Sequence, residues 1–206
     1  MGLYDKYILP HFLNCACGSK PINYQREKVV PMAEGLVLEV GIGSGLNIPF
    51  YDTAKIDKII GLDPSEELNR MASKVAEKNG VPVEFLVSGA ESIPLPDNHV
   101  DTVLVTFTMC TIPDVAAANK EMLRVLKPGG KMIFCEHGLA PDAGVSKWQS
   151  RLDPIWGKIA GGCHLNRDIP RLIRDAGFNI RSMEQMYLPS TPKFAGYNYW
   201  GTAVAR

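Results

Sequence analysis

One stretch constrains this chain more than any other: Leu36-Val37-Leu38-Glu39-Val40-Gly41-Ile42-Gly43-Ser44-Gly45-Leu46-Asn47. It reads as a buried strand that closes on a carboxylate and then turns through glycines at alternate positions. A residue without Cβ lets the backbone turn tightly and approach a ligand closely. A turn of this kind between a strand and a helix is where open α/β sheets bind nucleotide-like cofactors.

The rest of the chain repeats the strand–helix alternation. Residues 36–40, 56–63, 83–87, 101–107 and 131–136 read as successive apolar, β-branched strands. Helices are expected after the glycine loop through Pro49, from a Ser65 cap to about Asn79, and over 113–126, 145–160 and 167–176, the last ended by Gly177. Lys127-Pro128-Gly129-Gly130 carries both breakers and stops the third of these. Residues 178–186 and 197–205 read as an antiparallel edge pair, and residues 1–33 as a helical cap broken near 18–21. The pattern predicts an α/β fold: a doubly wound, mostly parallel seven-stranded sheet with right-handed crossovers and a helical N-terminal cap.

A chain of 206 residues suits one domain with a full core. Within it, 1–33 is the expected cap or lid, 34–137 the cofactor-binding core, and 138–206 the substrate-side helices and edge strands. Ligands of such sheets lie outside the carboxyl ends of the strands. That rule gathers residues 39–45, Asp63, residues 88–91, residues 106–110, Glu136 and His137 around one crevice.

The 22 basic and 22 acidic side chains balance, so no global field favours nucleic acid or an anionic membrane. The expected partner is a small molecule, and the chain is expected to act as a monomer or homodimer. Cysteines at 15, 17, 110, 135 and 163 are odd in number and irregularly spaced, which points to a reducing, cytoplasmic compartment. Residues 7–13 are apolar but too short to span a bilayer, and Pro10 interrupts them. They read as a lid over the site, with peripheral membrane contact as the alternative.

Glu39, Gly41, Gly43 and Gly45 fill an acidic-x-Gly-x-Gly-x-Gly pattern. The motif resembles the cofactor loop of class I S-adenosylmethionine-dependent methyltransferases. The rival dinucleotide fingerprint, Gly-x-Gly-x-x-Gly/Ala, fails at Leu46 when read from Gly41 and at Ile48 when read from Gly43. Glu39 would also repel a pyrophosphate and attract the ammonium of a methionine moiety. Asp63 follows the loop at the spacing of a carboxylate that accepts from ribose hydroxyls in either cofactor class.

The resemblance implies a cofactor site made of Glu39, Gly41, Gly43, Ser44, Gly45, Asn47, Asp63, Pro64, Ser65, Gly89, Ala90, Glu91, Thr106, Phe107 and Cys110. Gly89 stands where many members carry Asp, so recognition of the adenine amino group passes to backbone or to Glu91. The alternative reading of Glu39 is an acid that caps a helix or braces the loop. For Asp63 the alternative is a helix cap, although Ser65 is available for that task.

A second set of motifs is more specific. Residues 105–112, Cys135-Glu136-His137-Gly138, Trp148-Gln149, Leu152-Asp153-Pro154-Ile155-Trp156, Gly162-Cys163-His164-Leu165-Asn166-Arg167 and the closing Gly201-Thr202-Ala203 are similar to the small methyltransferase-like thiol S-methyltransferases. The animal members are membrane-anchored; here no anchor is expected before the domain. The resemblance implies a small hydrophobic thiol as acceptor. Enzymes that methylate oxygen, carbon or nitrogen of a quinol, phenol or phospholipid amine share the core.

A thiol with a pKa near 8.5 is already partly ionised at neutral pH, so a dedicated base is not required. His137 and His164 are the candidate proton acceptors, each open to a structural reading. Tyr4, Phe12, Trp148, Trp156 and Cys163 are candidate acceptor walls, each equally readable as packing. No metal is expected, since His11, Cys15 and Cys17 lack the spacing of a zinc site.

Overall fold

The computed structural model describes residues 17–205. Tyr4 and Phe12, like His11 and Cys15, lie outside the described residues. The strands are β1 (Gly35–Val40), β2 (Ile56–Leu62), β3 (Val83–Leu86), β4 (Val100–Thr106), β5 (Leu126–His137), β6 (Phe178–Tyr187) and β7 (Tyr197–Ala205). The helices are α1 (Lys20–Val29), α2 (Glu66–Asn79), α3 (Val115–Val125), α4 (Ala143–Ile159), α5 (Ile169–Asp175) and a single turn, α6 (Lys193–Gly196).

The strands form one seven-stranded sheet in the order β3-β2-β1-β4-β5-β7-β6. β1 to β5 run parallel, and β7 enters antiparallel between β5 and β6. The order reverses between β1 and β4, and a sheet opens its crevice at such a switch point. Both faces of the sheet are covered. Leu38, Val40, Val103 and Val105 pack into one apolar cluster, whereas Val37 and Leu104 pack into the other. Alternate residues of a strand point to opposite faces, so Glu39 shares the face of Val37. Among the described residues no helix is long and apolar enough to cross a membrane.

The expected capping chemistry is present. Ser65 Oγ accepts from Leu68 N at 3.3 Å at the start of α2, and Gly80 closes that helix in a left-handed conformation, φ 65°. Asp114 and Asp168 cap α3 and α5, which makes both helices shorter than the sequence pattern predicts.

Two local expectations are corrected. The glycine loop leads into a short 3₁₀ turn, Ile48–Phe50, and not an α-helix. Tyr51 is drawn into extended backbone to place its hydroxyl against Glu39, and this tertiary bond ends the turn. The Lys127–Gly130 breakers do not precede β5 but bulge within it. The register jumps there from Val100↔Leu126 to Thr102↔Lys131, with Gly129 at φ 82°.

Candidate active site

The three loop glycines answer three different demands. All have positive φ, the region where a Cβ is strained. A Cβ on Gly41 would lie 2.3 Å from Thr108, and one on Gly45 would lie 2.8 Å from Ile48 and 3.1 Å from Ala72 on α2. These two glycines let the loop pack against β4's exit and against α2. A Cβ on Gly43 would meet only the Gly41 carbonyl, at 3.9 Å, so Gly43 opens onto the crevice.

Asp63 ties this loop to the next strand's turn. Its Oδ2 accepts from Gly43 N at 3.1 Å and its Oδ1 from Ser65 N at 2.9 Å. Burial pushes its carboxyl up, against the pull of those two amides. Each oxygen keeps a further lone pair, the requirement for accepting from a diol. Pro64 is exposed beside it, and Ser44 is half-buried between Gly43 and Gly45.

Glu39 is 1% exposed, and both of its oxygens are taken within the protein. Asn47 Nδ2 donates to Oε1 at 2.9 Å and Tyr51 OH to Oε2 at 2.7 Å. Asn47 Nδ2 also donates to Thr106 Oγ1 at 2.9 Å, and buried Arg26 donates to Thr106 Oγ1 at 3.0 Å and to Asn47 Oδ1. Burial raises Glu39 to about 7 despite these bonds. Glu39 therefore braces the loop through Asn47, and the Asn47–Thr106–Arg26 network joins it to β4. Arg26 and Tyr51 escape the sequence reading because neither belongs to a motif; only distant packing brings them here.

On the next strand end, Glu91 Oε1 accepts from Asp114 N at 3.3 Å at the start of α3, and a Cβ on Gly89 would crowd Glu91 Oε2 at 2.8 Å. Ala90 is buried in the core beneath them. Phe107 leaves β4 with φ 53°, a strained value for a non-glycine residue, and lies 5.3 Å under the Arg26 guanidinium. Glu136 Oε1 accepts from Thr108 N and Met109 N at 2.8 and 3.1 Å, holding the segment that follows. Burial raises Glu136 to about 7, and its Oε2 has no partner among the described residues.

Three predicted site residues from separate elements converge past Phe107. Cys110, His137 and Cys163 place one donor atom each within 4.8 Å of one another, with Cys163 Sγ 3.3 Å from His137 Nε2. Cys163 is pulled down to about 4 by the Cys110 hydrogen bond and by His137, while the same contact and burial push Cys110 up. Burial alone would lower His137, but the Cys163 contact outweighs it and the imidazole is raised. Half-buried Trp156 packs on Cys110 and Cys163.

His164 does not join this group. Its Nδ1 pairs with Asp153 Oδ2 at 2.9 Å, and its own N donates to Cys110 O, so it secures the turn after α4. Trp148 does not join it either: it is 58% exposed, with Arg151 over its ring at 5.8 Å. The shallow surface depressions beside Ala76 and Phe85, and around Asp57 and Lys127, contain none of the loop or strand-end groups.

The arrangement fits a sulfonium nucleoside: an open glycine turn at Gly43, a carboxylate with spare lone pairs beside it, and Leu46 where a dinucleotide fingerprint requires a small residue. Known proteins agree. The sequence profile described as "Methyltransferase domain" matches residues 38–134. Thiol S-methyltransferase TMT1B of Rattus norvegicus is 33% identical over 172 residues, covering 79% of this chain and 70% of the relative. Thiol S-methyltransferase TMT1A of Homo sapiens is 29% identical over 178 residues, covering 84% and 72%. A solved geranyl diphosphate methyltransferase in complex with S-adenosylmethionine superposes with a TM-score of 0.72 at 15% identity, covering 89% of this chain and 85% of that one. At one third identity over most of both chains, the relation to the first of these is one of family, and the protein belongs to the class I S-adenosylmethionine-dependent methyltransferases.

Proposed function

We propose that the enzyme transfers the methyl group to the sulfur of a small hydrophobic thiol. The observation that carries this reading is the chemistry past the ends of β4 and β5: Cys110, Cys163, His137 and Trp156 form a soft, sulfur-lined cluster. The similarity to thiol S-methyltransferases supports it.

The cofactor supplies an electrophilic methyl on a sulfonium. Asp63 accepts from its ribose hydroxyls, Gly43 lets the backbone approach it, and residues 88–91 border its adenine. Glu39 acts from below, by holding Asn47 and through it the loop. The acceptor must lie in line with the methyl at about 3 Å, with water excluded. Trp156, the turn after α4 and α1 are the elements suited to exclude it, because peripheral elements vary where core strands cannot. A small thiol is partly thiolate at neutral pH, so the cluster's task is to receive a sulfur and not to deprotonate a phenol.

The test is a panel of alkyl and aryl thiols, phenols, quinols and phospholipid amines assayed with labelled methyl donor. Small thiols should be methylated, with rates that climb through each thiol's pKa. Turnover confined to phenols, quinols or amines refutes the assignment.

A further inference from the structure

Cys110, His137 and Cys163 come from the loop after β4, the last residue of β5 and the turn after α4. One backbone bond ties the two cysteine segments together, His164 N donating to Cys110 O at 2.9 Å, while Cys163 N donates to Ala160 O at 3.2 Å within its own turn. The backbone therefore brings the three donors together, and Cys163 Sγ contacts His137 Nε2 directly. Both sulfurs are buried and the imidazole is half-buried.

A tetrahedral zinc ion has Zn–S near 2.3 Å and Zn–N near 2.0–2.1 Å, which sets donor–donor spacings of about 3.6–3.8 Å. The 3.3 Å between Cys163 Sγ and His137 Nε2 is within a few tenths of an ångström of that, and all three donors lie inside 4.8 Å. Two sulfurs and an imidazole nitrogen are a borderline-soft set, suited to zinc and unsuited to calcium or magnesium, which take oxygen. Next to His137 in the chain, Glu136 Oε2 is buried without a partner among the described residues.

We propose that Cys110 Sγ, His137 Nε2 and Cys163 Sγ form a binding site for a thiophilic divalent cation of the zinc class, with no fourth protein ligand among the described residues. Three protein ligands with one open position is the arrangement of reactive zinc sites, whereas structural sites fill all four. The site is the same cluster that the proposed acceptor faces, but metal uptake there does not depend on which acceptor the enzyme methylates. No paired Cys-x-x-Cys spacing announces it, since its ligands are separated by 27 and 26 positions in the sequence.

The full chain, reduced and freed of metal by a chelator, is titrated with Co²⁺ without methyl donor or acceptor. One equivalent should bind and give thiolate-to-cobalt charge-transfer absorption in the near ultraviolet, and one equivalent of Zn²⁺ should abolish it. Cys110→Ser, Cys163→Ser and His137→Gln should each weaken binding at least tenfold, while Cys135→Ser leaves it unchanged. In the unmodified protein, Zn²⁺ should slow alkylation of Cys110 and Cys163 but not of Cys135, a readout that needs no variant to fold. The proposal is overturned if the folded, reduced protein takes up no Co²⁺. It is equally overturned if the double variant Cys110→Ser/Cys163→Ser binds Co²⁺ unchanged, or if Zn²⁺ gives no alkylation protection. Failure of thiol methylation with metal uptake intact would refute the acceptor assignment and leave this site standing.

Discussion

Replacing Glu39 by Gln should remove a pH dependence that the wild-type protein carries. Glu39 is almost wholly buried, and burial raises it from its ordinary 4.5 to about 7. A carboxyl that holds its proton more tightly folded than unfolded stabilises the fold at low pH. That contribution is complete below the unfolded value and is lost as pH climbs through the folded one. At 1.36 kcal/mol per pH unit, the gap amounts to about 3 kcal/mol, of which about 2.5 kcal/mol is lost between pH 5 and pH 8. Gln keeps the size and stays neutral, so the variant lacks this loss. Glu136 is raised in the same way, but it is common to both proteins and cancels. Urea unfolding of both proteins at pH 5 and pH 8 reads the effect directly. The wild type should lose about 2.5 kcal/mol relative to the variant across that interval, which for a domain of this size is about 5–10 °C in melting temperature. Parallel pH curves for the two proteins would refute the assignment of Glu39 as a carboxyl buried beneath the loop.

The loop glycines should separate stability from binding. Gly43→Ala meets open space and should cost the fold only about 1–2 kcal/mol for its left-handed φ, while calorimetry shows a loss of affinity for S-adenosylhomocysteine. Gly41→Ala drives a methyl into Thr108 and should unfold the protein at lower denaturant than Gly43→Ala does; the reverse order would contradict the packing described. Asp63→Asn replaces an acceptor with a donor facing the Gly43 or Ser65 amide, and should weaken binding of the same compound about ten- to a hundredfold by calorimetry. Gln149 is fully buried; it accepts from Ala140 N and donates to Gly138 O and Phe194 O, so Gln149→Ala should destabilise by about 2–4 kcal/mol in denaturant titration.

The cofactor half of this molecule is legible in its sequence because local rules write it. Five apolar runs separated by caps and breakers give the parallel strands, of which the central β4 is the uninterrupted β-branched sequence that burial on both faces demands, and the two C-terminal runs give the antiparallel pair. Glycines at alternate positions signal backbone that turns with positive φ, and Gly41, Gly43 and Gly45 all do so. Failures begin where a long-range bond overrides local preference. The helix expected after the loop gives way to one 3₁₀ turn, because Tyr51 OH satisfies a buried carboxylate that would otherwise lose an acceptor site at a cost of about 1–3 kcal/mol. No sequence window around Tyr51 contains that information, since the carboxylate it serves lies on the preceding strand.

The proposed acceptor side follows the opposite logic. Cys110, His137 and Cys163 are unremarkable one at a time: a thiol in an apolar loop, a histidine at a strand end, a thiol in a glycine-rich turn. Their chemistry exists only because β4 and β5 are neighbours in the sheet and α4 returns the chain across their carboxyl ends. His164 and Trp148 sit in equally suggestive sequence, yet α4 gives His164 the carboxylate of Asp153 and turns Trp148 to solvent beside Arg151. Helical phase decides this. Trp148 and Trp156 are eight residues apart, which at about 100° per residue puts them roughly 80° apart around the helix axis, enough for one to face the strand ends and the other to leave them. Cofactor recognition thus depends on backbone conformation, which sequence encodes locally. The proposed acceptor side depends instead on which side chains the crossovers bring to the same strand ends.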